Sequence, residues 1–192
     1  MVMSSPSLTQ NLFMNTKNKF WTIKNICQIA LLTVILFVQE ELLTVLPNIQ
    51  LTFFLIILYS KVLGFRKTVT IVPIYLMLDC LVMGALNPIF VIFQLIGWML
   101  IPILVCSVFK KIDNNIILAI ISILFSLLYS WIMIIPNIIV LQVDFRAYLI
   151  ADLPFEGLLA GSSFLSTLLL YNPLIFCLLF GNFSSQFQYK TS

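Results

Sequence analysis

The chain has 192 residues, of which 61% are hydrophobic and only 9% charged, with ten Lys and Arg against seven Asp and Glu. A mean hydropathy of +1.12 separates it from soluble domains, where about a quarter of residues are charged. Histidine is absent and the six glycines form no phosphate-binding loop, so imidazole catalysis, Ser-His triads, the HExxH zinc site and nucleotide binding are all excluded, and we expect no enzyme.

Residues 1–20 are polar and read as a cytoplasmic lead. Apolar runs follow at 26–38, 49–63, 69–83, 89–108, 116–140 and 158–179. A membrane-spanning helix needs about 20 such residues, so the second and third runs have soft boundaries. The first run has a cationic flank but no small-residue cleavage site after it, and is read as retained. The expected architecture is all-α: an integral membrane bundle of six transmembrane helices over 21–183, with a tail at 184–192.

Nine of the ten cations (Lys17, Lys19, Lys24, Lys61, Arg66, Lys67, Lys110, Lys111 and Lys190) fall in the N-terminus, the even-numbered connections and the C-terminus. The odd-numbered connections hold Glu40, Glu41, Asp144, Asp152 and Glu156, with Arg146 as the lone cation. Lys and Arg collect on the cytoplasmic side of membrane proteins, which places both termini there. The net charge of +3 follows from this asymmetry and calls for no nucleic-acid partner. The four cysteines (Cys27, Cys80, Cys106 and Cys177) are isolated in apolar runs, a spacing that offers neither disulfides nor a metal site.

Polar residues inside apolar runs carry the functional signal, because an unpaired polar group is costly in lipid. At about 100° per residue, Asn87, Gln94 and Trp98 share one face of the fourth helix. Glu156, Ala160, Ser163 and Thr167 share one face of the sixth. Ser122, Ser126, Ser130 and Asn137 form a stripe on the fifth, with Trp131 beside Ser130, and Asp79 stands alone in the third. Converging stripes of this kind predict a pocket open to the outside. The competing reading is that they only hydrogen-bond between helices. Gly157 and Gly161 form a small-residue face read as internal packing. Pro73, Pro102 and Pro136 lie inside spans; Pro47, Pro88 and Pro154 lie near outer helix ends. Glu40-Glu41 lacks the nearby histidine or arginine of a paired-glutamate membrane protease.

The stretch LPNIQLTFFLIILYSKVLGFRKTVTIVPIYLMLDCLVMGAL at 46–86 resembles the substrate-binding (S) components of energy-coupling factor (ECF) transporters. YLIADLPFEGLLAGSSFLSTLLLYNPL at 148–174 is similar to the end of the same proteins, where a D-[IL]-P-F turn opens the last helix and an LY-x-PL signature closes it. With six spans and this length, the resemblance covers nearly the whole chain. It implies a multi-pass protein of a bacterial cell membrane that captures a vitamin or micronutrient from outside, without a cofactor. Release would then need a membrane T subunit and two cytoplasmic ATPases. The family's A-x-x-x-A docking face on the first helix falls on Ala30 and Val34, with valine replacing the second alanine. Ser162-Ser163 stands where relatives often have Asn.

The expected site joins Trp98 and Trp131 as stacking surfaces with Asn87, Gln94, Asn137 and Ser163 as uncharged partners. Asp79 is counted as a ligand contact, with capping of the next connection or pairing with Asn87 as its alternative roles, and Glu40, Asp152 and Glu156 edge the mouth. The alternative function is a membrane accessory or assembly protein with no transported ligand. An enclosed outer-half cavity would favour capture; a filled one would favour packing.

Overall fold

The computed structural model describes residues 22–45, 49–84 and 87–188, with side chains to position 176. Among them the chain is all-helical, and its six helices run in order: α1 (Ile23–Leu43), α2 (Thr52–Val62), α3 (Phe65–Val82), α4 (Pro88–Ser107), α5 (Asn115–Leu141) and α6 (Phe145–Gln188). The polar lead and Lys190 lie outside the described residues.

Four stretches are long and apolar enough to cross a membrane: Ile23–Leu43, Pro88–Ser107, Asn115–Leu141 and Phe145–Phe176. The other two helices differ in kind. α2 has 11 residues, roughly 16 Å at ~1.5 Å per residue, about half the ~30 Å hydrocarbon core of a bilayer. Every residue from Thr52 to Ser60 is buried. A helix that is apolar all round belongs inside a bundle, and α2 touches all five other helices. It is the core around which the rest are wrapped. α3 has 18 residues and carries Arg66, Lys67 and Asp79.

Local chemistry sets the helix ends. Asn87 and Asn114 cap α4 and α5, their side-chain oxygens accepting from the backbone N–H of Ile89 at 3.1 Å and Ile116 at 2.9 Å. Pro88 follows its cap at the first helical position, where a missing N–H costs nothing. α2 passes into α3 through Gly64 at φ +79°, a left-handed conformation that glycine adopts without strain. α5 ends on left-handed Gln142 at φ +51°.

The start of α6 corrects the expected D-[IL]-P-F turn. Asp152, Leu153, Pro154 and Phe155 are helical, because Asp144 caps the chain earlier, its carboxylate accepting from the N–H groups of Arg146 and Ala147 at 3.1 Å each. Pro154 and Pro173 therefore lie inside a 44-residue helix, which also runs through position 184 without a break. The Gly157–Gly161 face is a second correction. It does not pack internally, since a Cβ at either glycine would meet nothing within 4 Å. An apolar groove of about 480 Å³ lies there, between Ile49 and Leu51 on one side and Gly157 to Leu170 on the other.

Charges separate by end. Lys61, at the close of α2, donates to the carbonyls of Phe109 at 2.9 Å, Lys110 at 3.1 Å and Ile112 at 2.5 Å, and lies 3.5 Å from Asp113. Lys67 donates to Gln28 of α1 at 2.7 Å. These bonds tie the first half of α1, the α2–α3 connection and the α4–α5 connection to one cationic end. Glu40, Asp79, Asp152 and Glu156 lie towards the other.

Candidate functional site

The acidic end holds a polar core built by five helices. Glu40 of α1 accepts through Oε2 from the Tyr75 hydroxyl of α3 and from Thr52 Oγ1 of α2 at 3.1 Å. Gln39, its neighbour, donates to Thr52 Oγ1 at 2.7 Å and accepts from the Leu51 N–H at 3.2 Å, so it supplies the cap that α2 lacks in its own sequence. One turn beyond Tyr75 on α3, the buried Asp79 carboxyl interacts with the Gln94 amide of α4. Gln94 also reaches the Tyr129 hydroxyl of α5. Trp98, one turn further along α4, is 1% exposed. Its ring lies 4.4 Å from Tyr129, 4.8 Å from Phe53 and 6.3 Å from Tyr75 by centroid.

This core is not fully satisfied. Among the described residues, Trp98 Nε1, Glu41 Oε1 and Gln50 Oε1 are buried without a hydrogen-bond partner. A buried polar group normally has one, and leaving it unpaired costs about 1–3 kcal/mol. Glu41 lies near the Asp79 and Glu40 carboxyls, Gln50 adjoins the Leu51 whose N–H Gln39 accepts, and Trp98 packs on the two tyrosines.

A second polar group joins α5 and α6. Ser130 Oγ lies 3.1 Å from an Asp152 carboxyl oxygen and 2.9 Å from one of Glu156. Asn137 donates to the Met133 carbonyl at 2.7 Å and to the Tyr148 hydroxyl at 3.0 Å. Deeper along the same interface, Ser163 is fully buried; its Oγ returns to the Leu159 carbonyl at 2.7 Å and its own carbonyl accepts from Ser122 at 3.0 Å.

Of the residues singled out in sequence, Asp79, Gln94 and Trp98 therefore meet in the five-helix core. Asn137 and Glu156 belong to the α5–α6 group, and Ser163 lies deeper in that same α5–α6 interface. Asn87 is an exposed helix cap. Trp131 is 58% exposed and borders a shallow apolar groove with Ile134, Ile138 and Phe145. Glu40, read as part of a mouth, is turned inward. Gln39, Thr52, Tyr75 and Tyr129 were missed, although the four-residue spacing of Tyr75 and Asp79 marks a polar face on α3. Ala30 and Val34 share an exposed face of α1.

Among the described residues, no three His, Cys, Asp or Glu side chains converge as metal ligands. The acidic end combines packed aromatic rings, carboxyl groups and hydrogen-bonding atoms that have no partner among the described residues. Compared with family models, with characterised proteins and with solved structures, the chain matches none.

Proposed function

We propose that this chain is the substrate-capture subunit of an ECF-type importer in a bacterial cell membrane. It binds a small vitamin-like nutrient at its acidic, outward end and works with a T subunit and two separately encoded ATPases. The observation that carries the reading is the buried core around Glu40, Asp79 and Trp98 with its three unpartnered polar atoms. Small-molecule sites combine apolar and aromatic walls with a few placed polar groups, and a ligand would supply the missing partners. The exposed Ala30–Val34 face leaves room for a T-subunit helix, because small residues let helix backbones approach closely.

One observation favours the accessory-protein reading: the Trp98 ring is already held between Phe53 and Tyr129. The two readings separate in one experiment. The protein is purified from cells grown in rich medium, and co-purified small molecules are identified by mass spectrometry. Uptake of the identified molecule is then measured with and without co-expressed T and ATPase subunits. A stoichiometric small molecule whose uptake needs those subunits supports capture. A ligand-free protein that alters only the assembly of another membrane protein supports the accessory role.

A further inference from the structure

Glu40, Glu41 and Asp79 lie close enough to repel one another electrostatically. Among the described residues, no Lys or Arg forms an ion pair with any of them; the ion pair Lys61–Asp113 is at the opposite end. Carboxylates removed from water without a counter-charge are strongly disfavoured. The core thus gathers carboxyl groups with no cationic partner among the described residues, and Glu41 Oε1 and Gln50 Oε1 are both unpaired there. Among the described residues its unpaired donor is the Trp98 indole N–H, on a side chain 1% exposed. That ring abuts Tyr75, which donates to Glu40, and Tyr129, whose hydroxyl meets the Gln94 amide.

We infer that the ligand of this site is a small organic cation, a protonated amine or cationic nitrogen heterocycle. Its N–H groups would meet the acceptors of Glu41 and Gln50, and an acceptor of its own would meet the Trp98 N–H. The inference rests on the capture reading and names its ligand class. An organic cation fits better than a metal ion, because the described residues hold no three-ligand metal group.

Three probes of similar size and one ring each test this: benzylamine (cationic at neutral pH), benzyl alcohol (neutral) and benzoate (anionic). Affinities are measured by isothermal titration on the purified, ligand-stripped protein in nanodiscs. Benzylamine should bind at least tenfold tighter than benzyl alcohol, and benzoate should not compete. Asp79→Asn and Glu41→Gln should each weaken benzylamine at least fivefold more than they weaken benzyl alcohol. Melting temperatures are recorded for both variants, so that Glu41→Gln decides if Asp79→Asn is unstable. Equal affinities for the amine and the alcohol, tighter binding of benzoate, or no binding of benzylamine each overturn the inference. The importer reading fails separately. Charge-selective binding without assembly on T and ATPase subunits removes the importer and keeps the cation site. Assembly without charge selectivity does the reverse.

Discussion

Gly97 of α4 lies directly beneath the Tyr129 ring of α5. A Cβ at Gly97 would stand 2.7 Å from Tyr129 Cδ2 and 3.2 Å from Cε2. The absence of a side chain at one position thus lets the tyrosine lie between Trp98 and the α4 backbone. It also keeps the Tyr129 hydroxyl within reach of Gln94.

Gly97→Ala should therefore displace Tyr129, with an overpacking cost of about 1–3 kcal/mol that helix propensity offsets by up to ~1 kcal/mol. Gly157→Ala, with nothing within 4 Å of the added methyl, should be neutral or stabilising. Melting temperatures of the two variants should move apart. Equal shifts would show that Tyr129 is not constrained by this contact.

Tyr75→Phe removes the hydroxyl that Glu40 accepts and leaves Thr52 as the remaining donor to that oxygen. A loss of about 1–3 kcal/mol is expected for an acceptor deprived of a buried partner. Because Tyr75 and Thr52 serve one carboxyl oxygen, Tyr75→Phe and Thr52→Val should be non-additive in a double-mutant cycle. Strict additivity would argue that the two bonds do not form together.

Lys61→Met strips a buried ammonium, 8% exposed in its side chain, from the α4–α5 connection it binds. With several carbonyls left unpaired at ~1–3 kcal/mol each, a loss of at least about 2 kcal/mol is expected. Lys110→Met, on an exposed side chain, should change stability by no more than about 0.5 kcal/mol. Thermal denaturation in matched detergent compares them, and a silent Lys61→Met would mean that water serves those carbonyls equally well.

The charge asymmetry predicts the sidedness of two exposed positions, Lys111 in the α4–α5 connection and Arg146 at the start of α6. In a background free of native cysteines, Arg146→Cys should react with a membrane-impermeant maleimide added to intact cells. Lys111→Cys should react only after lysis. The opposite pattern would invert the protein and move the acidic core to the cytoplasmic side.

Ala30→Trp adds bulk to an exposed face of α1, so under the proposed importer function stability and ligand binding should be unchanged while co-purification with a T subunit falls. The cause is steric, since a large side chain holds apart helices that need close approach. Lost binding with normal assembly would place Ala30 in the site or core and remove the docking face.

Much of this molecule follows from local and compositional rules. Six helices could be counted from the apolar runs, since each run must satisfy its backbone internally in lipid. The clustering of Lys24, Lys61, Lys67 and Lys110 towards one end was equally legible, because topology is written in the linear placement of charge. Helical periodicity also put Gln94 and Trp98 on a shared face, which depends only on the 3.6-residue turn. Periodicity could not tell that Asn87, on the same face, would serve the helix end, nor that Asp144 would start α6 ahead of Pro154. Several residues near a boundary were able to cap it, and only the folded backbone selected among them.

What packing alone decided is which faces meet. Trp98 and Trp131 both occupy long apolar helices, yet one is 1% exposed and the other 58%. The 11-residue α2 looked like a short membrane span and became the centre of the bundle. Its burial draws α1, α3, α4 and α5 together, which brings Glu40, Tyr75, Gln94 and Tyr129 into one core from positions up to 89 residues apart. Periodicity along a single helix fixes the angle of each side chain about its own axis. The neighbour it faces depends on how all six helices share their apolar surface, and that is a property of the whole fold.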